Sequence, residues 1–131
     1  MNWSSVNLWV TITDTCTDYM NVTITVPSAG TIVISAWQYA ILDHWLGTID
    51  TLYTKISTSN SDCGWDEWLG VTGVGSNLPS DIDYPQLHSL QRMYDVTAGT
   101  YTYYVNAQMV TGQSALDQFG HGNVVAVFYP S

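Results

Sequence analysis

Asn21-Val22-Thr23-Ile24-Thr25-Val26-Pro27-Ser28-Ala29-Gly30-Thr31-Ile32-Val33-Ile34-Ser35-Ala36-Trp37-Gln38-Tyr39-Ala40-Ile41-Leu42 is the stretch that decides the fold class. Val22, Ile24 and Val26 alternate with Asn21, Thr23 and Thr25. That period of two belongs to a strand with one wet face. Pro27-Ser28-Ala29-Gly30 then reads as a turn, with Gly30 free to take a positive φ. Residues 31–42 resume as a longer strand, apolar on both faces and so expected at the centre of a sheet.

The same signal continues on either side. Towards the N-terminus, Val6, Leu8, Val10 and Ile12 share one face of residues 6–13, and Asn7, Trp9, Thr11 and Thr13 the other. Beyond the central strand, residues 49–57 read as a strand ending in the polar loop 58–64. Residues 65–75 are ambiguous: Trp65, Trp68 and Leu69 have helical spacing, whereas Gly70, Gly73 and Gly75 argue for a loop with a short strand. Residues 76–85, with two prolines and two aspartates, read as a long loop. Residues 87–96 form the next expected strand, with Leu90, Tyr94 and Val96 on one side. A turn at Thr97-Ala98-Gly99 leads into a strand over 100–110, then a loop over 111–122. The last strand, 123–129, is stopped by Pro130. Val26-Pro27-Ser28-Ala29-Gly30-Thr31 and Val96-Thr97-Ala98-Gly99-Thr100 echo one another and predict two equivalent hairpin corners. Seven or eight strands and no helix predict an all-β, antiparallel β-sandwich of jelly-roll type, or of the related immunoglobulin kind. Its core is expected at Val10, Ile12, Val22, Ile24, Val26, Ile32, Ile34, Val105, Val125 and Val127.

Composition agrees and narrows the function. The chain of 131 residues has the size of a single domain, 1–131. Only 10% of residues are charged, against about 25% in ordinary soluble domains. Lys55 and Arg92 are the only strong cations, and the net charge is −9. Nucleic acid is excluded as a partner, because two cations cannot make the roughly six to ten phosphate contacts of a DNA binder. No membrane insertion is expected: the longest apolar stretch, 32–42, is interrupted by Ser35 and Gln38 and is too short to span a bilayer. No signal sequence is read at Met1, since nothing basic precedes an apolar run there. A surface of Thr, Ser, Asn and Asp with almost no Lys points to an extracellular or cell-surface setting. Cys16 and Cys63 both lie in polar loop sequence and are expected to pair as a disulfide, with two free thiols the alternative.

Ala98-Gly99-Thr100-Tyr101-Thr102-Tyr103-Tyr104-Val105-Asn106-Ala107, followed by Val124-Val125-Ala126-Val127-Phe128-Tyr129-Pro130, carries a family resemblance. The chain resembles the complement-type globular heads and tumour-necrosis-factor-like trimeric jelly-roll domains found at the tips of bacterial collagen-like and phage fibre proteins. The likeness covers the last third of the chain, and residues 22–34 more loosely. It implies a ten-stranded jelly roll in a tight homotrimer, with the last strand near the threefold axis. Tyr101, Tyr103 and Phe128 are then expected at the subunit interface. The chain departs from the pattern in its many tryptophans and in lacking a collagen-like stalk.

Other sites compete with blander readings. Trp65, Trp68, Trp45, Tyr53 and Tyr84 lie in or near loops. With Asp66 they suit a sugar-binding platform, or else fill a core or interface. Asp62, Asp66 and Glu67, and also Asp81 and Asp83, are close enough in sequence to offer oxygen ligands to calcium, the one cofactor considered; solvated acidic loops are the alternative. His44, His88 and His121 are separated and no nucleophile motif accompanies them, so the chain is read as not an enzyme. Asn2-Trp3-Ser4 and Asn21-Val22-Thr23 match the glycosylation pattern, a short motif common by chance. The functional expectation is a structural or assembly module whose main partner is itself, as a trimeric head or a filament subunit. A carbohydrate-binding module contacting glycans or a cell surface is the alternative.

Overall fold

A computed structural model describes residues 1–6 and 9–131, with the side chains of Val6, Asp81, Ile82 and Asp83 outside the description. The strands are β1 (Asn2–Val6), β2 (Val10–Thr11), β3 (Thr17–Val26), β4 (Gly30–His44), β5 (Asp50–Ser57), β6 (Gly70–Val74), β7 (Asp81–Val96), β8 (Gly99–Thr111) and β9 (Gln118–Pro130). No helix occurs among the described residues. All pairings are antiparallel. The first sheet has the order β1-β9-β4-β7, with β2 also on β9, and the second has β3-β8-β5-β6. Apart from the β5–β6 hairpin, each step along the chain from β2 onward crosses to the other sheet, so the chain wraps around the sandwich. That wrapping is the jelly-roll topology.

The two echoed sequences lie side by side. Gly99 pairs with Val26, and Gly30 with Val96. They are not hairpin corners, because β3 pairs with β8 and β4 with β7 and β9. Each turn carries the chain from one sheet to the other, and the two crossings close the same end of the sandwich. The nine segments occupy eight positions, since β1 and β2 both lie along β9, so the ten strands implied by the resemblance are not all present among the described residues.

Alternation sets what is buried. Met20, Val22, Ile24 and Val26 of β3 pack on Ile32, Ile34 and Ala36 of β4, Ile56 of β5, Tyr103 and Val105 of β8, and Val124 and Ala126 of β9. A second cluster, Ile12, Ala40, Leu42, Leu52, Val74, Ala107, Met109 and Phe119, fills the other end. Each aliphatic side chain so buried is worth about 1.5–3 kcal/mol.

Several expectations are corrected. Val125 and Val127 are half-buried on the opposite face from the core, which takes Val124 and Ala126. Paired residues of an antiparallel ladder share a face, and Ile34 and Ala36 pair with Ala126 and Val124. Val10 is exposed, and the expected strand over 6–13 is two short pieces, β1 and β2, with Asn7 and Leu8 outside the described residues. Ile12 is buried beyond the end of β2, where its amide donates to the Asp117 carbonyl at 2.8 Å.

The expected loop 76–85 becomes strand from Asp81, because β4 runs on to His44 and supplies ladder partners. Pro85 is tolerated there because β7 is an edge strand. Likewise β9 begins at Gln118, inside the expected loop 111–122. Gly120 and Gly122, which read as loop punctuation, are strand glycines of close approach. A Cβ on Gly122 would stand 2.7 Å from the Trp37 carbonyl oxygen, and one on Gly120 would stand 2.8 Å from the Trp9 ring.

Candidate functional site

Asp18, Asn106 and Lys55 stand in one row across β3, β8 and β5 on the outer face of the second sheet. Residues 58–69 fold over that row. The Lys55 ammonium is buried and donates to Asp66 Oδ2 at 2.6 Å, Asp62 Oδ1 at 3.0 Å and the Gly64 carbonyl at 3.1 Å. Asn106 Nδ2 donates to the carbonyls of Ser59 at 2.7 Å and Asp62 at 3.0 Å. Cys63 is bonded to Cys16, as the sequence predicts, and this ties the loop to the start of β3. Burial works to raise the Asp62 carboxyl, yet the Gly64 amide, the Lys55 ammonium and the Ser57 hydroxyl together hold it below the usual carboxylate range. Lys55 likewise holds Asp66 down, with help from the Trp68 amide. The ammonium thus sits where calcium was expected between Asp62 and Asp66. Among the described residues no group of three or more His, Cys, Asp or Glu side chains is placed to hold a metal ion. The Asp81 and Asp83 side chains lie outside the described residues.

Trp65, Asp66 and Trp68 share this corner. Trp65 is 75% exposed and meets Tyr53 edge-on, with ring centres 5.6 Å apart. Trp68 lies over the Arg92 guanidinium at 5.0 Å, and Tyr94 flanks the same cation at 4.9 Å. Tyr84 does not join them. Its ring packs against His44 near the second core cluster, and its hydroxyl donates to the Pro79 carbonyl at 2.8 Å.

Of the three residues expected at a subunit interface, Tyr103 belongs to the interior, while Tyr101 and Phe128 pack against the core and keep part of their surface exposed. Tyr103 is 1% exposed, and Tyr101 and Phe128 are half-buried against the same core cluster. Tyr103 stacks beside Tyr94 and Tyr101, with ring centres 4.5 and 6.5 Å away. The Gly-x-Tyr-x-Tyr spacing places both rings on the inner face of β8.

A second hydrophobic surface lies on the outer face of the first sheet. The register groups its residues in cross-strand rows: Trp3, Val125, Ser35 and Gln91; Val127, Val33 and Met93; Ser5, Asn123, Trp37 and Ser89; Tyr39 and Leu87. Trp3 is 66% exposed and Trp37 39%, while Val33, Tyr39, Val125 and Val127 are half-buried. Trp9 extends the patch, edge-on to Tyr39 at 5.9 Å. In these rows no described residue carries a charge. The second sheet presents the opposite chemistry, with hydroxyl pairs Thr23–Thr102, Thr25–Thr100 and Thr51–Thr111 at 2.8, 2.9 and 2.9 Å.

One end of the sandwich holds an acidic group that sequence reasoning missed. Asp43, Asp50, Asp117 and His44 are all buried. Asp117 accepts from the amides of Asp43 at 2.8 Å and Ser114 at 2.6 Å, and the Ser114 hydroxyl donates to Asp43 at 2.7 Å. The ring nitrogens of His44 face Asp50 and the Leu78 carbonyl. Burial pushes the Asp117 carboxyl up to about 6, with the neighbouring Asp50 and Asp43 adding to the effect against its amide donors. Its partners lie far apart in sequence, so no local motif marks it.

No family model matches the chain, and no curated protein matches it. Among solved structures it is similar to one from infectious bursal disease virus, Gt strain. The two share 10% identity with a TM-score of 0.41, over 98% of this chain and 34% of that one. The chain thus spans about a third of that chain's length.

Proposed function

We propose that this chain is a non-enzymatic structural module that assembles with copies of itself through the outer face of the first sheet. The observation that carries the reading is the charge-free, tryptophan-bearing face opposite a threonine-covered one. Residues 33–39 of β4 extend about 20 Å and four strands span about 19 Å, by the usual strand rise and spacing. The resulting charge-free face, about 400 Å², is about half of what each partner gives to a standard interface. It falls in the size range of the largest apolar patches on soluble proteins, which often mark contact sites. A chain of net charge −9 meets its copy with least repulsion through a face that carries no charge. A trimeric head of a surface or fibre protein is the closed form that the family resemblance implies, and a filament subunit is the open one. The Cys16–Cys63 bridge supports an oxidising, extracellular setting. No helix among the described residues is long and apolar enough to cross a membrane.

Sedimentation or light scattering over a range of concentrations tests the proposal. A mass of three chains favours the head, a concentration-dependent series the filament, and a monomer at every concentration ends the reading. A second reading, a carbohydrate-binding module, is favoured by the exposed Trp65 indole beside Tyr53 and Asp66. A glycan array separates the two: glycan binding by a monomer, lost on Trp65→Ala, supports the module.

A further inference from the structure

We propose that two copies of the chain pair edge to edge along β7, antiparallel, about a two-fold axis through Leu90. The inference rests on the self-association proposed above and adds to the face a second contact, at the edge of the same sheet. β7 ends the first sheet, and among the described strands only β4 pairs with it. It runs sixteen residues, whereas β6, the edge beside β5 in the second sheet, runs five. Exposed edges are ordinarily kept short or guarded by lysine, proline or inward charge, since unpaired amides and carbonyls recruit another strand, and the one proline of β7, Pro85, lies at its start. β7 carries no lysine. Its Arg92 is occupied inward, between the Trp68 and Tyr94 rings, and donates to the Ile56 carbonyl at 2.8 Å. Asp95, near the strand's end, accepts from the Thr31 hydroxyl at 3.0 Å. From Tyr84 to Val96 the side chains alternate between half-buried and exposed, the pattern of a strand at an open rim.

The register follows from the side chains. Paired residues share a face, so only registers joining outward residues to outward residues keep the apolar face continuous. An axis through Leu90 does this and sets Leu87, 71% exposed, against Met93, 60% exposed, once on each side of the axis. It also places Ser89 opposite Gln91, Arg92 opposite His88, and Asp95 opposite Pro85. An axis at Gln91 would move Met93 onto Ser89 and Asp95 onto Leu87. An axis at Arg92 would oppose two guanidinium groups. Between Gln86 and Tyr94 the paired run contains no proline. A closed assembly in which every copy makes this contact holds an even number of copies, so a mass of three chains overturns the contact and leaves the trimeric head standing.

The test mixes two variants, Ser89→Cys and Gln91→Cys, under mild oxidation. A covalent dimer from the mixture, absent from either variant alone, supports the register, because only unlike positions face one another. Leu87→Lys with Met93→Lys, both at exposed sites, is expected to weaken association at least tenfold while the thermal transition is retained. If the wild-type chain associates but the mixture does not cross-link preferentially, the β7 contact is wrong and the assembly reading stands, whatever the lysine variant does, because Leu87 and Met93 also belong to the outer face. If the wild-type chain is monomeric throughout, both fall.

Discussion

Lys55 shows how much one side chain organises here. Its buried ammonium is the hub for two carboxylates and a carbonyl, and through them the loop 58–69 is held on the second sheet. Lys55→Met is expected to cost about 2 kcal/mol in denaturant unfolding. That is below the range for a fully buried pair, because the two carboxylates remain partly exposed and rehydrate. The acidic residues set opposite pH limbs. Folded Asp117 titrates at about 6, against 3.8 ordinarily. Its stabilising contribution is complete below about pH 4 and is lost as pH rises through about 6. Asp62 and Asp66 are held below the ordinary range, so theirs is present above about pH 4 and lost as pH falls through their folded values. The melting temperature is therefore expected to rise from pH 7 to about 5 and to fall below about 4. Asp117→Asn should flatten the upper limb and leave the lower one, a comparison that calorimetry across pH makes directly.

At the scale of elements, β9 separates what a strand's sequence reveals from what its neighbours decide. Val124-Val125-Ala126-Val127 is apolar throughout, so its strand character is legible but its phase is not. The ladder with β4 supplies the phase. Val124→Ser is expected to destabilise by about 2–3 kcal/mol, since it removes buried apolar volume and buries a hydroxyl. Val125→Ser, on the outer face, should cost under about 1 kcal/mol in the isolated chain and should instead weaken association. Urea unfolding of the two variants reads the difference. Gly122→Ala tests the close approach to Trp37 and is expected to cost about 1–3 kcal/mol by overpacking. The early starts of β7 and β9 escaped the sequence for a related reason. Proline and glycine mark loops when only local conformation is weighed, but on a free edge or beneath a tryptophan they are the residues a strand requires.

Across the whole molecule, two faces of unequal chemistry and one covalent tie govern behaviour. Reducing Cys16–Cys63, separated by 47 residues, is expected to cost about 4 kcal/mol by the loop-entropy relation, visible as a lower midpoint in denaturant with reductant. Association between copies of charge −9 is expected to tighten as salt rises, because screening removes repulsion while apolar burial persists. The sequence by itself determined the all-β class, the disulfide and the excess of apolar surface, since period-two patterning, loop cysteines and missing charge are local or additive properties of a chain. It also placed the Trp65–Asp66–Trp68 corner together, those residues being neighbours already. Only the tertiary structure decided which valines of β9 face inward, that Tyr101, Tyr103 and Phe128 serve the core, that an ammonium stands between Asp62 and Asp66, and that Asp43, Asp50 and Asp117 share one buried end. Each depends on which strand lies beside which, and strand pairing joins residues far apart in the chain through ladders whose register no local pattern encodes.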